Sequence, residues 1–218
     1  IEQVGHFEVV LAALEEVAPL LAKKTTHVSH GLLRLTTGKM ASRKGNIITA
    51  SELLRDMVQS ASEKNADPLV AEQVAVAAVK YMILRQAPGG DIVFDPEKSL
   101  SLEGDSGPYL QYALVRAKSV IAQSSVTADT KDAPEKPYTL ERLLTRFPEI
   151  VRKAESLRAP HLITQYLTQI AGEWNSFYAQ ERIRDGAFEA YKIAVATAFV
   201  RTMERGLSLL GIPVPEKM

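Results

Sequence analysis

Cysteine is absent from all 218 residues, which excludes disulfides, thiolate metal sites and cysteine nucleophiles and makes a cytoplasmic setting the expectation. No apolar run approaches the roughly 20 residues that cross a bilayer, so no membrane partner is expected. The opening Ile1-Glu2-Gln3-Val4-Gly5-His6 lacks the basic region and apolar core of a signal peptide. Net charge is missing too: 26 basic residues balance 26 acidic ones. Any hold on nucleic acid must therefore come from a local patch rather than from bulk charge. There is no internal repeat, and no low-complexity tract longer than the polar stretch at 124–137. An initiating methionine is lacking as well, which suggests a piece of something longer.

What is present begins with a core-forming composition. Hydrophobic residues make up 46% of the chain, enough for one sizeable core or two modest units. The most informative string is Gly38-Lys39-Met40-Ala41-Ser42-Arg43-Lys44-Gly45. Glycine frees backbone amides for close approach, and clustered Lys and Arg neutralise a polyphosphate. Taken alone, the string fits either a phosphate-binding loop or a solvated basic loop.

Around it the pattern changes from mixed to helical. Phe7, Val10, Leu11, Leu14, Ala18 and Leu21 recur at three and four, predicting an amphipathic helix over 7–21. The stretch 26–35 reads as one strand or two short ones. Asn46-Ile47-Ile48-Thr49 reads as a second extended piece, and Ser51 with Glu52 opens a helix through about Ser62. Asp67-Pro68 marks the next helix start, with an end near Gln86 before Pro88-Gly89-Gly90. Beyond Gly104 the candidates are helices at 108–122, 140–155, 160–182 and 187–210, with a turn at Arg184-Asp185-Gly186, so the second half reads as a helical bundle.

Three strings then fall in one order. Residues 38–45 come first. Glu103-Gly104-Asp105-Ser106-Gly107-Pro108-Tyr109-Leu110-Gln111-Tyr112-Ala113 with Arg116 follows. The third is Trp174-Asn175-Ser176-Phe177-Tyr178, succeeded by Gly206-Leu207-Ser208-Leu209-Leu210-Gly211-Ile212. Together, over essentially the whole chain, they resemble the C-terminal part of the arginyl-tRNA synthetase family, class I enzymes that charge tRNA with arginine. The closing Pro215-Glu216-Lys217-Met218 resembles that family's natural C-terminus.

The resemblance implies a mainly α fold: a remnant of a Rossmann-type α/β catalytic domain at 1–48, a helical connection at 49–103, and an all-helical anticodon-binding bundle of the DALR type at 104–218. It implies that 38–45 is the counterpart of the Lys-Met-Ser-Lys-Ser loop, which closes over ATP and stabilises charge as pyrophosphate leaves. Gly38, Lys39, Met40, Ser42 and Gly45 would then contact ATP, with Lys39, Arg43 and Lys44 in the catalytic role. Lys39-Met40 match the first two positions, whereas Ala41, Ser42 and Arg43 depart from the rest. Ser42 stands at the second lysine position, so Arg43 or Lys44 supplies that charge, or a lysine upstream of this chain does.

His27-Val28-Ser29-His30 imitates the family's His-Ile-Gly-His motif but sits nine residues before Lys39, whereas the motif belongs far upstream. Packing is the expectation for His6, His27, His30 and His161, with His27 and Gly31 resembling positions that support the loop. Two histidines at this spacing need another ligand to hold a metal, and none is evident.

An anticodon is single-stranded loop RNA, read by aromatic faces, amides and cations. Tyr109, Gln111, Tyr112 and Arg116 supply these types within two helical turns, and Asn175 and Tyr178 share a second helix face. Either tyrosine of the first set could equally pack the bundle. By resemblance, Lys192 and Met218 join the tRNA contacts, and Trp174 fills a place usually held by a smaller aromatic. The most basic window, Arg142, Arg146, Arg152, Lys153 and Arg158, reads by default as a solvated helix face.

The expected partners are arginine tRNA, with ATP and arginine as substrates of the full enzyme and Mg2+ accompanying ATP, in a monomer. The chain alone, without the first Rossmann half, is expected to bind tRNA but not to charge it. Rival readings are a non-catalytic tRNA-binding module, a helical protein-interaction domain, and a synthetase for another amino acid.

Overall fold

The computed structural model describes residues 3–36 and 49–218. The expected catalytic and ATP-contacting residues Gly38, Lys39, Met40, Ser42, Arg43, Lys44 and Gly45 lie outside the described residues, as do residues 46–48 of the second extended piece.

Two helices occupy the place of the single one expected over 7–21: α1, Val4–Val17, and α2, Pro19–Ala22. The break is Pro19, whose ring drives the preceding residue out of helical geometry; Ala18 sits at φ −151°, ψ 67°. α1 has no buried residue, and Val9, Val17 and Leu20 are exposed.

Of the strand expected over 26–35, only β1, Leu33–Leu35, forms a ladder. It pairs in parallel with β2, Ile92–Phe94, in the register Leu33 to Ile92 and Leu35 to Phe94. The chain segments before these strands cross with no side chain between them. A Cβ on Gly31 would lie 2.1 Å from the Gly90 carbonyl oxygen, so only glycine fits there. Arg34 and Asp91 form an ion pair at 3.1 Å across the same edge.

α3, Ala50–Ser62, is capped by Thr49 and not opened by Ser51. Thr49 Oγ1 accepts from Glu52 N at 3.2 Å, while Glu52 Oε2 accepts from Thr49 N at 2.8 Å, a reciprocal box that satisfies two otherwise orphaned amides. α4, Pro68–Leu84, starts at Asp67-Pro68 as expected. A short α5, Pro96–Ser99, follows β2.

The second half is helical throughout: α6, Gly107–Ala122; α7, Thr139–Leu144; α8, Phe147–Leu157; α9, His161–Gln180; α10, Glu189–Leu209. The helix expected over 140–155 is therefore two. Pro148 cannot donate to the Leu144 carbonyl and its ring crowds it, which ends α7 and restarts the chain as α8. α10 finishes on Gly211 at φ 62°, with Ile212 N donating to Leu207 O at 2.9 Å and Gly211 N to Ser208 O at 2.9 Å. That pairing satisfies the last carbonyls of the helix.

The mainly helical class read from the sequence holds. One apolar core runs from Met57 to Ile212 and includes Tyr81, Leu110, Leu114, Leu167, Ile170, Trp174, Phe199 and Met203. α4 packs on α6, and α6 on α9 and α10. Close approach of α4 and α6 depends on Gly107, where a Cβ would meet the Ala77 carbonyl oxygen at 2.2 Å.

Candidate nucleic-acid interface

Ser106 sets the phase of α6. Its Oγ accepts from Tyr109 N at 3.1 Å and donates to the Ser101 carbonyl, capping the helix just before its first polar-faced turn. From that start, Leu110, Ala113, Leu114 and Ala117 enter the core with 0% exposure. Tyr109, Tyr112 and Arg116, three, four and seven apart, emerge on one face. Tyr112 is exposed, and Tyr109 and Arg116 are half-buried.

α9 lies alongside α6 and contributes Asn175 and Tyr178. Asn175 Nδ2 donates to the Tyr109 hydroxyl at 3.0 Å. Arg116 Cζ sits 4.0 Å from the centroid of the Tyr178 ring, within reach of a favourable cation–π contact. Five of the expected tRNA contacts, drawn from two strings about sixty residues apart, thus form one surface. It combines two exposed phenol rings with a guanidinium that makes no ion pair among the described residues, while the Asn175 amide is turned inward onto Tyr109. These are the groups that stack bases, bond base edges and meet phosphates.

The floor beneath is buried core. Trp174 is fully buried, stacked on Phe199 at 4.9 Å and 11° between planes, and lies 6.2 Å from Tyr178. The Trp174 Nε1 and Asn175 Oδ1 atoms are buried without a hydrogen-bond partner among the described residues.

Gln111, Lys192 and Met218 stand apart from these five. Gln111 is 0% exposed, and its Nε2 donates to Gln73 O at 3.1 Å and to Pro213 O at 2.6 Å. Lys192 is 4% exposed; its Nζ pairs with Glu181 at 2.7 Å and donates to Arg182 O at 3.2 Å. Both side chains spend their donors inside the protein. Met218 is exposed. Arg142, Arg146, Arg152, Lys153 and Arg158 are all exposed, matching the solvated face expected for that window.

A polar junction at the head of α6 escaped the sequence reading. The Tyr81 hydroxyl bonds the Asp105 carboxylate and, at 2.6 Å, Thr168 Oγ1, while Arg85 pairs with Asp105 at 2.5 Å. Burial pushes the Tyr81 hydroxyl well above the usual phenol range, and the Asp105 bond pushes the same way. The helical spacing of α4 marks Tyr81 as core, and nothing in that periodicity announces a partner 24 residues on. Asp105, inside the second string, was the available signal.

In the N-terminal segment His27 stacks on Phe7 at 4.4 Å and 20°. His6 meets the edge of the same ring at 5.7 Å. His30 Nδ1 lies 3.1 Å from Gly31 O. No cluster of three metal-ligating side chains occurs among the described residues, and no helix among them is long and apolar enough to cross a membrane.

A helical surface carrying exposed phenol rings beside a guanidinium without an ion pair among the described residues offers chemistry suited to single-stranded RNA. The model of the DALR anticodon binding domain matches residues 110–218, and the chain belongs to that family. Beyond that domain, it is similar over its whole length to arginine–tRNA ligases. The protein of that name from Flavobacterium psychrophilum is 28% identical over 100% of this chain and 39% of its own length; that from Clostridium acetobutylicum is 32% identical over 100% and 41%. The Thermus thermophilus arginyl-tRNA synthetase superposes with a TM-score of 0.81 at 32% identity, covering 96% of this chain and 38% of that one. The Plasmodium falciparum enzyme shares the fold at 19% identity, with a TM-score of 0.80. The chain thus spans about two fifths of the length of the curated relatives it matches.

Proposed function

We propose that this chain is the tRNA-reading part of an arginine–tRNA ligase, the enzyme that joins arginine to its tRNA at the expense of ATP. In that reading α6 and α9 receive the anticodon loop, with Tyr109, Tyr112, Arg116, Asn175 and Tyr178 in contact with RNA and Met218 at its margin. Gln111 and Lys192 serve from beneath by fixing the backbone that carries the contacts. The observation that carries the reading is the convergence of Tyr109 and Arg116 with Asn175 and Tyr178 on one face.

The division into a catalytic remnant at 1–48, a connection at 49–103 and an anticodon-binding bundle at 104–218 belongs to the same proposal. So do a cytoplasmic monomer, arginine as substrate, and ATP with Mg2+ at the loop of Gly38, Lys39, Met40, Ser42 and Gly45. Lys39, with Arg43 or Lys44, would neutralise the departing pyrophosphate. In a protein carrying the upstream catalytic region, Lys39→Ala is expected to slow aminoacylation about 100-fold or more.

Binding of the 218-residue chain to arginine tRNA, to the same tRNA with an altered anticodon and to a non-cognate tRNA, across a salt series, tests the central claim. A preference for the intact anticodon that survives moderate salt supports it. Equal and steeply salt-dependent binding to all three overturns it, because that is the signature of phosphate contact alone.

A further inference from the structure

A cation that contacts only phosphate is best left free in water, yet Arg116 is not free. Its guanidinium carbon lies over the Tyr178 ring, 4.0 Å from the centroid. Tyr178 in turn meets Trp174 at 6.2 Å with the rings tilted by 43°, and Trp174 stacks on Phe199 at 4.9 Å, with both of these at 0% exposure. The guanidinium therefore lies over a ring that itself leans on the buried Trp174–Phe199 stack. Arg116 has no carboxylate partner among the described residues, so no ion pair among them draws it aside. Tyr112, on the preceding turn of the same helix face, is exposed.

We infer that Arg116 acts on RNA as a stacking plane and that Tyr178 is the positioning residue that holds the plane in place. An unstacked nucleobase lies on the outer face of the guanidinium, opposite the Tyr178 ring that backs it. The delocalised guanidinium suits this task, since it is planar, weakly hydrated and accepts a base on its face. A lysine ammonium carries the same charge but offers no plane. The inference rests on the proposed function and goes beyond it by assigning how one residue binds and which neighbour prepares it.

The test is tRNA binding by the full chain in three variants, Arg116→Lys, Tyr178→Leu and Tyr178→Phe, each measured against intact and altered anticodons over a salt series. Loss of one base–plane stack is expected to weaken binding to the intact anticodon about ten-fold or more in Arg116→Lys and in Tyr178→Leu. The salt slope of Arg116→Lys stays unchanged, because the charge remains. Tyr178→Phe restores the affinity lost in Tyr178→Leu, since the ring and not its hydroxyl backs the plane.

Wild-type affinity in Arg116→Lys would overturn the inference while leaving the RNA-reading function standing. The inference also fails if Tyr178→Leu loses affinity equally for intact and altered anticodons with a changed melting temperature, which would make Tyr178 only a packing residue. Absence of anticodon preference in the wild-type chain overturns the parent reading and this one with it.

Discussion

The Asn175 amide donates to the Tyr109 hydroxyl at 3.0 Å, so a residue of α9 sets the orientation of a phenol on α6. This single bond ties together two stretches of chain 66 residues apart. Removing either partner should cost about 1 kcal/mol of stability. Asn175→Ala and Tyr109→Phe, measured by urea unfolding alone and combined, are expected to be non-additive, with a coupling of about 1 kcal/mol. Additive losses would mean that the two groups do not depend on each other.

Lys192 is expected to matter for folding and not for the choice of tRNA. Its ammonium is buried against Glu181 and the Arg182 carbonyl, and Glu181 remains partly open to water. Lys192→Met leaves a half-buried carboxylate without its cationic partner and should destabilise the chain by about 2 kcal/mol, less than a fully enclosed pair would lose. At a temperature where the variant is fully folded, the ratio of affinities for intact and altered anticodons should match that of the wild-type chain.

Alkaline pH should loosen the contact between α7 and α9. The Tyr166 hydroxyl donates to Leu143 O at 3.0 Å, and burial pushes its pKa up to about 12 from 10.0, with Arg146 nearby working weakly the other way. A phenol whose folded pKa is raised lends stability that is complete below about pH 10 and is lost as pH climbs through about 12. The loss from this group should be on the order of 2 kcal/mol by about pH 12. Urea midpoints measured from about pH 8 to about pH 12 should fall across that window, and Tyr166→Phe should flatten part of the fall.

Two glycines separate a rigid obstacle from a yielding one. A methyl group on Gly107 meets the Ala77 carbonyl oxygen at 2.2 Å, and one on Gly206 meets Leu167 Cδ2 at 2.5 Å. Backbone cannot rotate away, whereas a leucine side chain can adopt another rotamer. Gly107→Ala should therefore cost about 3 kcal/mol and pry α6 from α4, while Gly206→Ala should cost about 1 kcal/mol. Equal melting temperatures for the two variants would contradict this account.

How far the sequence could be read followed from how local each signal was. Asp67-Pro68 announced α4 because cap and first-turn proline act within three residues. The split between α7 and α8 was written in Pro148, but its effect falls on a carbonyl four residues earlier, inside an otherwise continuous apolar pattern. β2 is only three residues long, too short for alternation to show, and it exists because β1 lies beside it. At the candidate interface, the sequence placed Tyr109, Gln111, Tyr112 and Arg116 within two helical turns, and the spacing of three, four and seven puts Tyr109, Tyr112 and Arg116 on a common face. The same spacing could not tell Gln111 from its neighbours: two positions from Tyr109, it turns inward and binds Gln73 and Pro213. Lys192 likewise looks like any other cation until the Glu181 carboxylate is found beside it.

The inward-turned Gln111 also acts as a mooring. It holds the Pro213 carbonyl, and Pro215 is buried two residues on. Beyond it Glu216, Lys217 and Met218 are all exposed, and Met218 is tethered to Pro215 by a span of about 10 Å when fully extended. The radius within which Met218 can meet a bound molecule is therefore decided by an amide that never reaches the surface itself.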